Sequence, residues 1–345
     1  MDVRVSIEGK FLTPIFADFV GGQRVLFNFK FEDGYIDYQI LNDYTVEGII
    51  PFVLESGKPD GDISFWINNS SHIFEKDSED LIYLTANDIG ITFEQGSCNC
   101  TYEREYEARR EFPILEESMF TKAFAKRLRY LSTSAVRCSE IAKGLSIPNP
   151  DPVITGGTYY LDYWQYAFVD KIDYPECSFT SSMLRGFASK LADSATYAYL
   201  KDRNLMCFVS GRYTLWVPTV NFKIDSTSIK EIRNVIDTAT PFAKVNFNKF
   251  LSQFEIIAKA FPKQKLILTM GENTFTVGAA SMGASVTVGD FNPADKVLRT
   301  NITPGCLNVI SKLFNEDEPI EILKGANAIC LRHNEKNFVI AGMTY

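Results

Sequence analysis

The stretch FAKVNFNKFLSQFEIIAKAF, Phe242 to Phe261, reads as a short strand followed by a helix, and the segments after it decide the fold. QKLILTMGENTFTVGAA (264–280) and ASVTVGDF (284–291) supply a hairpin and a further strand. The order then begins again, with KVLRTNI (296–302) as a strand, PGCLNVISKLF (304–314) as a helix, and EPIEILKGANAICLRHNEKNFVIAGM (318–343) as three short strands. Gly271, Asn273 and Asn334 stand at the turns, where residues that accept hairpin backbone angles are needed. Residues 242–345 therefore hold two copies of one unit, a strand, a helix and three strands.

Working back along the chain, the same order returns. SMFTKAFAKRLRYLST (118–133) reads as a helix beginning at Met119, and GGTYYLDYWQYAFVDKI (156–172) as strands. CSFTSSMLRGFASKLAD (177–193) reads as a second helix, and ATYAYLKDRNLMCFVSGRYTLWVPTVNF (195–222) as hairpin strands. In the first third, MDVRVSIEG precedes a short helix for which Thr13 is the expected N-cap and Pro14 the first helical residue. RVLFNFKFEDGYIDYQILNDYTVEGIIPF, DISFWINNSSHIFEK and LIYLTANDIGITFEQGSCNCTYERE complete that copy. The expected organisation is an α+β fold of three repeated domains, 1–115, 116–240 and 241–345, each with two helices packed on antiparallel sheets.

Composition excludes several classes. The longest apolar runs, such as Leu81 to Phe93, are interrupted by Asn and Asp and are shorter than a bilayer span, which needs roughly 20 apolar residues. MDVRVSIEGK alternates like a strand and lacks the regions of a signal peptide, so the protein is expected to stay in the cytosol where it is made. The 7 cysteines are scattered, and are expected to be reduced thiols, with Cys98 and Cys100 as buried strand residues. With 2 histidines and no second Cys pair, no metal is expected. No phosphate-binding glycine loop, nucleophile elbow or HExxH motif is present, and the acidic clusters at 60–62 and 76–80 read as solvated loops. No catalytic residue and no cofactor are expected.

Charge is distributed unevenly. The net charge is −8, yet Lys122, Lys126, Arg127 and Arg129 stand with no acid between Met119 and Thr133, opposite Phe120, Phe124, Leu128 and Leu131 on the expected apolar face. Arg185 and Lys190 repeat this in the second helix, and Lys244, Lys249, Lys259, Lys263 and Lys265 surround the single Glu255 in the third. One basic helix face is usually only solvated surface. Several equivalent basic helices in an acidic chain suit sequence-independent phosphate contact.

Taken together, these residues and repeats resemble a DNA sliding clamp of the bacterial β type, a processivity ring of three similar domains per subunit. The resemblance covers the whole chain and is most specific in the last hundred residues, which end on VIAGM; low identity elsewhere suggests a divergent, phage-encoded relative. It implies a homodimer ring, joined between the first domain of one subunit and the last of the other, that encircles duplex DNA without reading its sequence. Lys122, Lys126, Arg127, Arg129, Arg185, Lys190, Lys249, Lys259 and Lys263 would then face DNA. It also implies a hydrophobic groove for short motifs of DNA polymerase and clamp loader. By position the groove residues are Leu145, Tyr163, Trp164, Tyr166, Pro241, Val339, Ile340 and Met343, bulkier at 163–166 than the family pattern. The alternative is a non-enzymatic β-rich scaffold protein, for instance a virion or assembly component, whose basic helices face water.

Overall fold

The computed structural model describes residues 2–13, 24–68, 80–103, 105, 108–126, 128–129, 132, 153–154, 159–162, 166–169, 177–219, 234–245, 256, 259–260, 266–271, 274–279, 285–288, 298–302, 319–325, 328–333, 336–341 and 343–344. Among them antiparallel sheet dominates. The first third contributes β1 (Val3–Glu8), β2 (Arg24–Lys30), β3 (Tyr35–Leu41), β4 (Thr45–Pro51), β5 (Val53–Ser56), β6 (Ile63–Asn68), β7 (Leu81–Ala86), β8 (Gly90–Gln95) and β9 (Cys98–Glu103). The middle contributes β10 (Thr121–Lys122), β11 (Val153–Ile154), β12 (Tyr159–Asp162), β13 (Tyr166–Val169), β14 (Cys177–Ser178), helix α1 (Ser181–Ala188), β15 (Thr196–Leu200), β16 (Leu205–Ser210) and β17 (Tyr213–Pro218). The last third contributes β18 (Thr240–Val245), β19 (Leu266–Gly271), β20 (Thr274–Ala279), β21 (Ser285–Val288), β22 (Leu298–Ile302), β23 (Ile320–Lys324), β24 (Ala328–His333), β25 (Lys336–Ala341) and β26 (Met343–Thr344).

The repeat read from 242–345 is present in the strands, with a feature that periodicity alone does not give. Each three-strand meander takes the first strand of the other copy: β18 pairs with β23, and β22 pairs with β19. The first third makes the same exchange, β1 with β7 and β6 with β2, and in the middle β10 pairs with β15. Neither copy can complete its sheet alone, so each pair of copies buries its apolar faces as one unit.

The chain forms two compact units, one of Met1–Ala125 with Gly186–Pro218 and one of Lys126–Arg185 with Thr219–Tyr345. In the first, β4 and β17 pair from Tyr213 with Gly48 to Trp216 with Thr45, fusing two meanders into an eight-stranded sheet, β10-β15-β16-β17-β4-β3-β2-β6. A second sheet, β5-β1-β7-β8-β9, lies in the same unit. In the second unit, β13 pairs with β25, giving the six-stranded sheet β12-β13-β25-β24-β23-β18 beside β21-β20-β19-β22-β26 and the β11-β14 pair. The middle of the chain is thus shared, because β10 and β15 to β17 continue a sheet from the first third, β12 and β13 continue one from the last, and β11 and β14 pair with each other.

The core of the first unit follows strand alternation. Val25, Phe27 and Phe29 on β2, Phe65 and Ile67 on β6 and Phe93 on β8 are buried, and the Phe27 and Phe93 rings lie 5.7 Å apart. Each such side chain contributes roughly 1.5–3 kcal/mol through burial. At Gly90 an added Cβ would lie 2.1 Å from the Tyr102 carbonyl oxygen, inside the β8–β9 pairing. Gly90→Ala is therefore expected to cost roughly 1–3 kcal/mol by forcing these strands apart, a loss that thermal melting would register; an unchanged melting temperature would contradict the close approach.

Several sequence expectations are corrected by the structure. Residues 9–13 are already helical, so Thr13 lies within that segment and is not its N-cap. Glu117–Met119 is a 3-10 turn and Thr121–Lys122 is strand β10, so the helix expected from Met119 has its first described helical residue at 125. The reason is a long-range one: Thr121 and Lys122 pair with Tyr197 and Thr196, and the Ala123 N–H donates to the Ala195 carbonyl at 2.7 Å. Cys98 is exposed and Cys100 only partly buried on β9, because β9 is the edge strand of its sheet. The described cysteines at 98, 100, 177, 207 and 330 are free thiols. Among the described residues, no helix is long and apolar enough to cross a membrane.

Candidate functional site

The chain's last strands are built into the second unit. β25 is an interior strand, with β24 on one side and β13 on the other. Its register sets Ile340 opposite Tyr166 and Ile329, and Val339 opposite Ala167 and Cys330; Cys330 stands opposite Leu323, and Leu323 opposite Pro241. Four of the expected groove residues, Tyr166, Val339, Ile340 and Pro241, thus lie in one sheet, with Pro241 exposed on its edge strand β18. Met343 lies in the neighbouring sheet, since β26 pairs with β22 and sets Met343 opposite Thr300. Leu145, Tyr163 and Trp164 lie outside the described residues.

Val339 is a core residue, whereas Pro241 is exposed. Val339 is 3% exposed and belongs to an apolar cluster with Leu323, Ala328 and Cys330, against which Val235, Ile236 and Ala239 pack. Burial raises the Cys330 thiol to about 12, only partly countered by Arg332, so it packs as an inert apolar side chain. Arg332 was not singled out from the sequence, yet it ties this sheet to the helical residues 234–238. Its Nε donates to Asn337 Oδ1 at 2.7 Å and its Nη2 to the Ile236 carbonyl at 3.0 Å. An Arg directly after the apolar run AICL, in AICLRH, is the only sequence sign of it.

The basic residues are placed by their own elements. Phe124 and Leu128 are buried, as the helix periodicity expected, while Lys126 is exposed and Arg129 partly so. Arg185 is exposed on α1, whose first turn is capped by Thr180: the Met183 N–H donates to Thr180 Oγ1 at 3.2 Å. Lys190 falls after the end of α1 rather than on it, held through its backbone, where its N–H donates to Phe187 and its carbonyl accepts from the Tyr213 hydroxyl. Lys122 is exposed on β10 and Lys259 is exposed in a helical stretch. Arg127, Lys249 and Lys263 lie outside the described residues. Among the described residues, no group of three or more His, Cys, Asp or Glu side chains is arranged to hold a metal.

Meanders that exchange first strands and fuse edge to edge make up the fold. No family model and no curated protein sequence matches the chain, so the relationship is carried by three-dimensional structure. A DNA polymerase III β subunit from Eubacterium rectale superposes with a TM-score of 0.72 at 10% identity, over 99% of this chain and 100% of that one. The Helicobacter pylori β clamp bound to a DNA ligase peptide gives 0.72 at 9% identity, over 99% of both chains. A Pseudomonas aeruginosa sliding clamp, DNA polymerase III subunit β bound to griselimycin, gives 0.71 at 11% identity over 100% of both. The chain has the β sliding-clamp fold from end to end.

Proposed function

We propose that the protein is a DNA sliding clamp, a divergent, non-enzymatic processivity factor of the cytosol. It acts as a homodimer ring of three domains per subunit, 1–115, 116–240 and 241–345, around duplex DNA. The observation that carries this is a likeness to β clamps that spans this chain and those chains almost completely. Phosphate contact by the exposed cations would be independent of sequence, and the sheet holding Tyr166, Ile340 and Pro241 would present the groove for motifs of polymerase and clamp loader. The test is retention on circular duplex with release from the same duplex once linearised. Equal behaviour on both forms would instead support the scaffold reading.

Ring closure has a specific expectation. At the two seams inside the chain, the outer strands of meanders pair with one another, β4 with β17 and β13 with β25. Among the described residues, the outer meander strands left at sheet edges are β9 and β21, and β9 of one copy would add to β21 of the next. Exposed Cys98 and partly exposed Cys100 on β9 report on this. Their alkylation, followed by mass spectrometry, is expected to slow as protein concentration rises through the dimer range; a rate independent of concentration would place ring closure elsewhere.

A further inference from the structure

The segment after β9 lies on a built receptor in the first unit. The Glu105 carbonyl accepts from the Trp66 N–H at 3.3 Å, and its carboxylate pairs with Arg24 at 2.7 Å. Arg109 then forks across two strands: one Nη pairs with Asp37 on β3 and the other with Glu47 on β4 at 2.7 Å. Those two carboxylate side chains are only 20% and 16% exposed. Gln39, fully buried, reads the next peptide unit in both directions: its Nε2 donates to the Arg110 carbonyl and its Oε1 accepts from the Arg110 N–H, each at 3.0 Å. Phe112 finally stacks on Trp216 of β17, with centroids 4.5 Å apart and the rings 5° from parallel.

The receptor face is itself organised. Trp216 Nε1 donates to Glu47 Oε2 at 2.7 Å and Gln39 Nε2 to Glu47 Oε1 at 2.9 Å, so one carboxylate orients the stacking ring, the amide and the guanidinium. Burial holds the Asp37 carboxyl above its usual range despite the pull of Arg109. A guanidinium shared between two carboxylates, a two-way amide contact and an aromatic platform are how a protein surface takes up a short extended peptide. The difference here is that the peptide is the chain's own.

We propose that Glu105, held by β2 and β6, and Arg109 to Phe112, docked in cis across β3, β4 and β17, form a releasable lock whose release frees the connector, residues 108–116, without unfolding the sheet. The lock crosses the β4–β17 seam, with Arg109 held on β3 and β4 and Phe112 on β17, so it stiffens that seam. Resting on the sliding-clamp reading, the consequence is that ring opening is borne by other joints.

Hydrogen exchange of the full-length protein by mass spectrometry tests the lock without DNA. Arg109→Ala combined with Phe112→Ala should speed exchange of residues 108–116 by on the order of tenfold or more, with β3, β4 and β17 still protected. Arg109→Lys, which keeps charge but loses the fork, should give a smaller change. Unchanged exchange overturns the lock, as does loss of sheet protection in both the double variant and Arg109→Lys, since the connector would then be inseparable from the core. A second arm measures half-life on circular duplex. A released connector with an unaltered half-life overturns the stiffening role, whereas failure of the unaltered protein to be retained at all falls on the clamp reading, with the lock still judged by exchange.

Discussion

A protein in which Lys126, Arg129, Arg185, Lys190 and Lys259 are all replaced by Glu is expected to lose retention on circular duplex DNA while melting like its parent. The folding half of this expectation rests on placement. Lys126, Arg185 and Lys259 are exposed and Arg129 and Lys190 partly exposed, while the structural contacts of Lys190 with Phe187 and Tyr213 run through its backbone. The binding half rests on counterion release. Loss of the five proposed phosphate contacts should flatten the logarithmic salt dependence by about 4.5, and the reversed charges would add repulsion. On the proposal that these side chains contact only phosphate, duplexes of equal length and different sequence should be retained equally by the unaltered protein. Lys122 belongs in a separate variant, since it sits on strand β10 opposite Thr196. Retention that survives the Glu replacements, or clear discrimination between two sequences, would remove the electrostatic argument.

What could be read from sequence depends on the range of the forces involved. Hairpins are local, so the β19–β20 turn and the β23–β24–β25 meander were visible from alternation and turn residues. The burial of Leu128 was equally visible, because spacing on a helix fixes a face; Phe124 is buried too, but from the extended residues just before the helix. β10 was not visible: it is two residues long and exists only because β15 lies beside it, while the spacing of Phe120 and Phe124 suits a helix equally well. The exchange of first strands escaped for the same reason, since nothing local tells β18 to pair with β23 instead of β19. Within the candidate site, Val339 was readable as an apolar strand residue but not as the floor of a cluster roofed by Val235 and Ile236, which lie about a hundred positions away in sequence. Gln39 and Asp37 show the opposite limit of a local pattern. They alternate with buried Tyr38 and Ile40 and so read as solvent-facing, yet the connector covers Gln39 completely.

The same burial decides how the chain's end should be tested. Deleting Ala341 to Tyr345 removes the pairing of Ala341 with Ala328 and the two-residue strand β26, but leaves Val339 opposite Cys330 and Phe338 opposite Leu331. The melting temperature should therefore fall by only a few degrees, since roughly 1 kcal/mol corresponds to about 2–4 °C in a unit of this size. Capture of the cognate polymerase and clamp loader should fall by more than about tenfold, because an apolar groove depends on a few anchors and Met343 is removed with the segment. Val339→Asp makes the contrast: it would place an unpaired carboxylate beside Leu323, Ala328 and Cys330 and cost several kcal/mol, roughly the whole margin of a marginally stable unit. That variant should melt early and lose partners through unfolding, so only the truncation separates docking from folding. Equal capture by truncated and full-length protein, with equal melting, would make the terminus merely the closing strand of a sheet; early melting of the truncated protein would make β26 a structural clasp between β22 and the end of the chain.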